Sequence, residues 1–434
     1  MEHICYNRFY EMIRMNYIGN INNMNDRVIL HSDLNNFYAS CECLNSPHLK
    51  QVPLVVIGDP RDRHGIVLAK NYPAKALNIK TGMVLWQAKQ ICPNIIVKIA
   101  DFEKYLNFSR IVRKVYERYT DFIEPFGIDE AWLDVSFSKI FGSGQEIADK
   151  IRENIKKEIG LTASIGVSYN KIFAKLGSDM KKPDATTVIT YEDFKRKIWS
   201  LPVESLLYVG KATTLKVKKL GIETIGDLAN FDVNFLEQKL GVWGVTLKHF
   251  ANGLDNSPVK KMGQLEVIKS VGNSLTAPKD LKTIDDIHAL LIILAESVSA
   301  RIYKYKLGKA KTLQLWIRDT NLISFSRQAK FAFATNNSID FVNLSLNLFK
   351  NNYKFEFPVR SLGINVSNFD TAFQQITFFD QDEEKKFKLD RTIDYIREKH
   401  GHDSIFKAQV MLSDKLVSLN VETDHTIHPL SFFK

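Results

Sequence analysis

Two short apolar stretches run directly into carboxylates, and few folds can use that arrangement. Val28-Ile29-Leu30 is a β-branched run ending at His31-Ser32-Asp33, and it reads as a buried strand. Phe122–Pro125 and Ala131–Val135 read as two further short strands around Gly127-Ile128-Asp129-Glu130. Side chains alternate along a strand, so neighbouring carboxylates converge only where the backbone turns or bends. Three carboxylates gathered at one point raise one another's pKa unless a cation neutralises them. Magnesium suits such a site, because it takes few carboxylates, keeps several waters and shares substrate phosphates. Two such ions, roughly 3.5–4 Å apart, can activate an attacking oxygen and stabilise a leaving group. Taken one residue at a time, a plainer account competes, with Asp33 as a helix cap and Asp129-Glu130 as turn residues. Composition and periodicity do not choose between the two.

Around these strands the pattern is mixed. Pro53–Ile57 and Ile66–Lys70 read as strands, Tyr72–Leu77 and Met83–Ile91 as helices. Phe102–Tyr119 is long and amphipathic, Glu146–Ile159 is a helix closed by Gly160, and Thr162–Val167 is a strand. This order predicts an α+β sheet with helices on one face. From about 191 to 259 the texture changes to short helices and Gly-centred turns, and 260–269 reads as a basic linker. A second α+β domain spans 270–412, with helix Ile284–Tyr303, β-rich stretches 311–318, 325–333 and 360–367, and a helix 383–399. A chain of 434 residues is expected to hold several domains. Hydrophobic residues make up 45% and charged ones 25%, which is the balance of a globular rather than a disordered chain. The net charge of +10 favours a polyanionic partner such as nucleic acid. Cys5, Cys41, Cys43 and Cys92 are too few and scattered for a disulfide framework or a paired zinc site, so a reduced, cytoplasmic location is expected. No apolar run approaches membrane-spanning length, and residues 1–23 lack the apolar core of a signal peptide. Residues 1–26 are therefore read as an N-terminal extension, either a dispensable tail or the result of a start misassigned ahead of Met24.

Three strings decide between the two accounts of the carboxylates. Ser32-Asp33-Leu34-Asn35-Asn36-Phe37-Tyr38-Ala39-Ser40 resembles the first catalytic motif of the Y-family, or lesion-bypass, DNA polymerases. Gly127-Ile128-Asp129-Glu130-Ala131-Trp132-Leu133-Asp134 resembles that family's second acidic motif. Gly166-Val167-Ser168-Tyr169-Asn170-Lys171-Ile172-Phe173-Ala174-Lys175, continuing through Ser178 to Pro183, is similar to a third. The three occur in the family's order and cover most of residues 28–184. The length and a peptide near the C-terminus resemble the DinB branch, while Asn36–Glu42 and Ala74–Leu77 look partly like the UmuC branch.

The resemblance implies an α+β multidomain right hand. A ferredoxin-like palm would be formed by 27–36 and 99–190, small fingers by 37–98, and a helical thumb by 191–259. An α+β little finger would span 270–412, followed by a tail, 413–434. It implies a template-directed DNA polymerase that adds deoxynucleotides to a primer 3′ end, specialised for translesion synthesis and without proofreading. Asp33, Asp129 and Glu130 would hold two Mg²⁺ ions, with the Leu34 carbonyl as a further ligand. Tyr38, beside Phe37, stands at the steric gate that excludes a ribose 2′-hydroxyl. Tyr72, Lys75 and Lys182 would grip the triphosphate; relatives often carry Arg at the Lys75 position, and Lys offers only a point charge. Asn35 replaces an acid common among relatives but is not a core ligand.

Leu206–Thr213 is similar to the helix-hairpin-helix with which the family's thumb holds duplex phosphates, through Val209, Gly210 and Lys211. Tyr208 replaces one glycine usual there, and Gly241-Val242-Trp243-Gly244 is a candidate second turn. Residues 260–330 are rich in Lys and Arg, and Arg327 and Arg360 are the expected phosphate contacts of the little finger. Gln375-Ile376-Thr377-Phe378-Phe379 resembles the peptide by which bacterial polymerases dock on the sliding clamp; an edge strand is the competing reading. Pro429–Phe433 is a poorer second candidate. Expected partners are primer-template DNA, deoxynucleoside triphosphates and the clamp, with no membrane and a monomeric chain. The rival reading is a non-catalytic DNA- and clamp-binding scaffold, which would be expected to have lost the three acids.

Overall fold

The computed structural model describes residues 27–58, 65–264, 267–370, 380–401 and 404–411. They form two compact units, one from residues 27–58 and 66–264, the other from residues 267 onward. The first begins β1 (Ile29–Leu34), α1 (Phe37–Cys43), β2 (Leu54–Ile57), β3 (Val67–Lys70), α2 (Tyr72–Ala76), α3 (Leu85–Ile91) and β4 (Ile96–Ile99). It continues α4 (Phe102–Tyr116), β5 (Ile123–Pro125), β6 (Glu130–Asp134), α5 (Gly144–Asn154), β7 (Ala163–Ser168), α6 (Lys171–Met180) and β8 (Thr186–Ile189). Five short helices close it: α7 (Phe194–Ile198), α8 (Lys211–Lys218), α9 (Ile225–Asn230), α10 (Val233–Leu240) and α11 (Val242–Ala251).

The main sheet has the order β5-β6-β1-β7-β8, with β1 at its centre and antiparallel to both neighbours. Alternation along β1 sends Leu30 and Leu34 into a core shared with Tyr105, Val112 and Tyr116 of α4 and Ile147 and Ile151 of α5. Ile29 faces the other way and packs with Trp132 and Ala174 of α6. The expectation of helices on one face is thus corrected, since α6 covers the second. The reason lies in Gly166: a Cβ there would sit 1.9 Å from the Ala174 carbonyl oxygen, so only glycine lets α6 press directly onto β7. The predicted Glu146–Ile159 helix starts earlier, at a Ser143–Glu146 capping box, and ends in a π turn (Ile155–Ile159) that Gly160 closes at φ +81°.

A separate three-stranded sheet, β3-β2-β4, carries α2 and α3. The sequence reading missed β4, whose Ile96–Ile99 run pairs in parallel with β2. The second unit contains β9 (Ser270–Leu281), α12 (Ile284–Lys304), β10 (Lys309–Asp319), β11 (Ser324–Thr335), α13 (Ser338–Asn352), β12 (Val359–Asp370), α14 (Asp380–His400) and α15 (Ala408–Met411). Its four strands run antiparallel in the order β11-β10-β12-β9, and α12 and α13 bury Leu290, Leu294, Phe341 and Phe349 against one face. Among the described residues no helix is long and apolar enough to cross a membrane.

Candidate active site and nucleic-acid interface

Register brings the first two carboxylates together. Asp33 on β1 lies directly opposite Glu130 on β6, so the two side chains leave the same face as neighbours, with Cβ atoms typically about 4.5–5.5 Å apart. That face is the one covered by α6. The turn before Glu130 is fastened from α4, where the Ser109 hydroxyl donates to the Ile128 carbonyl and Arg113 Nη2 donates to the Gly127 carbonyl at 3.2 Å. Leu34 N donates to the Asp129 carbonyl at 3.1 Å, which closes the turn onto the end of β1. Asp129 is thereby held beside the other two acids. Burial, then the charges of Glu130 and Asp33, push its carboxyl up to about 7. Burial also raises Asp33, opposed by Lys175 and reinforced by Glu130.

Two ammonium groups sit among these acids. Lys175 Nζ is 3.2 Å from Asp33 Oδ2 and 3.1 Å from Glu130 Oε1, and Lys182 Nζ is 2.7 Å from Asp33 Oδ2. As they stand, no three His, Cys, Asp or Glu side chains among the described residues are grouped to hold an ion. The donor set nevertheless fits Mg²⁺. It consists of hard carboxylate oxygens from Asp33, Asp129 and Glu130 with a backbone carbonyl nearby, the kind of set that takes few carboxylates and leaves room for waters and phosphates. His31 lies behind, fully buried, its Nδ1 2.9 Å from Ser178 Oγ and its Nε2 3.4 Å from Glu130 Oε2. Burial and then Lys175 push its pKa well below the ordinary value, so the ring is neutral and adds no cation to the site.

Of the nucleotide-binding expectations, Lys182 touches Asp33 directly, while Phe37 and Tyr38 open α1 and Tyr72 and Lys75 lie on α2. Tyr38 stacks on Tyr105 with ring centroids 4.4 Å apart and 12° between planes, and meets Phe102 edge-on at 5.9 Å. Burial and then the charge of Asp129 push its hydroxyl up to about 12. Phe37 is buried in the α4 core, its ring centroid 5.8 Å from that of Tyr38. Burial raises the Tyr72 hydroxyl, with Lys182 lowering it and Asp33 raising it. Lys75 Nζ lies 5.9 Å from the Tyr72 ring centre. Both are placed by Asn71, whose Oδ1 caps α2 at Ala74 N while its Nδ2 donates to the Leu49 and Val52 carbonyls. Asn35 is buried, donating to Ser164 Oγ at 3.0 Å and accepting from Asp184 N at 2.9 Å, so it fixes the segment that follows Lys182. The sequence reading assigned no role to Lys175, Tyr105, Asn71 or Asn35. Lys175 lies inside the third motif, whereas Tyr105 is marked only as a residue of an amphipathic helix.

In the region expected to grip DNA, Val209 is buried in a helical core, so only its backbone can face a ligand. Gly210 is the N-cap of α8, and Lys211 opens the helix with the first-turn amides. Tyr208 takes the left-handed conformation expected of the missing glycine, φ +71°, and rests its ring on Trp243 and Phe250. The second candidate turn exists as well: Gly241, at φ +66°, joins α10 to α11. In the second unit Arg327 shares its register with the core residue Leu315, leans on Phe325 and donates to Asn352 Oδ1 at 3.2 Å. Arg360 is the extra residue of a bulge between Val359 and Ser361. The sheet face opposite the helices presents Gln314, Trp316, Arg318, Ser361 and Asn365. Gln375, Ile376, Phe378 and Phe379, and the Pro429–Phe433 tail, lie outside the described residues.

Comparison with known proteins bears directly on these features. Residues 32–179 match the impB/mucB/samB family, and residues 268–378 match the impB/mucB/samB family C-terminal domain. The chain is 49% identical over 394 residues to the DNA polymerase IV of Acetivibrio thermocellus, covering 90% of this chain and 98% of that one. It is 38% identical over 393 residues to the DNA polymerase IV of Clostridium kluyveri, covering 88% and 97% respectively. Among solved structures it resembles the Y-family DNA polymerase chimera Dbh-Dpo4-Dbh with a TM-score of 0.69 and 25% identity, over 80% of this chain and all of that one. The fold is accordingly that of a right-hand polymerase of mixed α and β structure. With its acids convergent and both of its units matched, the chain belongs to the Y-family DNA polymerases, on their DNA polymerase IV branch.

Proposed function

We propose that this chain, by its family a DNA-directed DNA polymerase of the translesion type, performs nucleotidyl transfer at Asp33, Asp129 and Glu130 with two Mg²⁺ ions. The observation that carries the reading is the Asp33–Glu130 register, with the Asp129 carbonyl bonded to Leu34 N at the end of the same strand. When bound, Mg²⁺ ions activate the primer 3′-hydroxyl and neutralise the departing pyrophosphate. The chain's own groups do the rest. Asp33, Asp129, Glu130 and the Leu34 carbonyl hold the ions, and the Tyr38 ring fills the space a 2′-hydroxyl needs. Tyr72, Lys75 and Lys182 orient the triphosphate, mainly by charge and by donated hydrogen bonds. We assign residues 27–36 and 99–190 to the palm, 37–98 to the fingers, 191–259 to the thumb and 270–412 to the little finger.

Backbone amides at Val209–Lys211 and the Lys211 ammonium hold duplex phosphates without reading sequence. Arg360 adds a phosphate contact from the second unit, and Arg327 does so on releasing Asn352. An extended Gln375–Phe379 segment offers an amide and an aliphatic-aromatic set to a clamp pocket. The protein acts as a monomer in the cytoplasm and does not proofread. Primer extension on a defined template with Mg²⁺ tests the reading, comparing wild type with Asp129→Ala/Glu130→Ala. Extension by wild type that is lost in the double variant is expected. A wild-type protein that binds the primer-template and does not extend it would return the chain to the scaffold reading.

A further inference from the structure

A lysine that the proposed chemistry leaves unused sits deepest among the acids. Lys175, on α6, touches Glu130 Oε1 at 3.1 Å, Asp33 Oδ2 at 3.2 Å and Asp179 Oδ2 at 3.2 Å, with its side chain 13% exposed. Lys182 is twice as exposed, at 27%, and reaches only Asp33 and Asp179, at 2.7 and 3.0 Å. Asp179 therefore tethers both ammonium groups, at i+4 from Lys175 and i−3 from Lys182. Asp33 and Glu130 face each other across paired strands, and two such carboxylates repel unless a cation stands between them. Among the described residues, the only ammonium that touches both is that of Lys175.

We propose that Lys175 is a built-in counter-cation that holds Asp33 and Glu130 in facing register before metal ions arrive and yields those contacts when they bind. It is a positioning residue, acting through the two acids. The less buried Lys182 is then free to turn from Asp33 to a triphosphate. The inference rests on the reading of these acids as the metal site. It has two consequences. Without Lys175 the metal-free site carries unbalanced, half-buried charge and loses stability. Metal ions also bind the variant more tightly, because no ammonium has to be displaced.

The test uses the full chain at pH 8, as K175M, K175R and the double variant E130Q/K175M. Thermal melting is followed in a chelator and in Mn²⁺, and Mn²⁺ binding is read from the free-ion electron paramagnetic resonance signal. In chelator K175M is expected to melt about 5 °C or more below wild type, with K175R close to wild type. E130Q is expected to recover part of that loss, and saturating Mn²⁺ to close most of the gap. The Mn²⁺ dissociation constant of K175M falls severalfold. Equal melting of K175M and wild type in chelator overturns the proposal. So does a K175M protein that E130Q fails to rescue, whether it melts early or does not fold. Absence of Mn²⁺ binding in both proteins would instead defeat the metal-site reading, while melting in chelator still decides the role of Lys175.

Discussion

Tyr38 is positioned by rings. Phe37, Phe102 and Tyr105 surround it at centroid distances of 5.8, 5.9 and 4.4 Å, and each such pair contributes about 0.5–1.5 kcal/mol beyond area burial. Tyr105 is itself anchored, its hydroxyl donating to Glu42 Oε1 at 2.9 Å. A wall built this way depends on the ring of Tyr38 and hardly on its hydroxyl. Tyr38→Ala is therefore expected to raise ribonucleotide use relative to deoxynucleotide use by roughly one to two orders of magnitude in kcat/KM, with Tyr38→Phe close to wild type. Sugar discrimination unchanged in the alanine variant would remove Tyr38 from the gate. Tyr38 was legible as a gate candidate, because it stands inside a contiguous motif. The wall behind it was not: Tyr105 lies on a helix whose amphipathic pattern reveals burial but not which ring it will meet. The same holds for Asn35, whose partners Ser164 and Asp184 come from distant parts of the chain.

At the scale of elements, legibility followed neither polarity nor length alone: the short apolar β4 was missed, while the polar helix over 383–399 was found. Leu54–Ile57, Ala163–Ser168 and Ile284–Lys304 are apolar and were found, whereas β9, with Gly272, Asn273 and Pro278, and α13, rich in Asn and Ser, were missed. Their formation depends on the sheet and helix they pack against, which local propensity does not report. Two close approaches make this dependence testable. Gly166→Ala places a Cβ against the Ala174 backbone, and a loss of about 3 kcal/mol in urea unfolding is expected, since α6 must lift from β7. Tyr208 carries a left-handed strain of about 1–2 kcal/mol that its contacts with Trp243 and Phe250 offset. Tyr208→Ala keeps the strain and loses the rings, while Tyr208→Gly loses both. Alanine should therefore be the more destabilising substitution, by about 1 kcal/mol, and the reverse order would show that the turn is unstrained.

Over the whole molecule the positive charge is divided between two units that have separate cores. The second unit sets small polar side chains and Arg318 on the sheet face away from its helices, and the first offers amides and Lys211 at the start of α8. Both surfaces offer cationic or backbone N–H donors suited to phosphates, contacts that position a duplex without reading its sequence. Such binding is driven by counterion release, and each phosphate contact contributes about 0.9 to the slope of log affinity against log salt. Lys211→Ala and Arg360→Ala, each tested on primer-template DNA across a salt series, should each lower that slope by about 1 and weaken binding equally on unrelated sequences. Combined, they should lower it by about 2, because contacts on separate units have no shared partner through which to couple. A slope unchanged in Arg360→Ala, with Lys211→Ala behaving as expected, would leave DNA binding to the first unit and assign the charge of the second to some other surface.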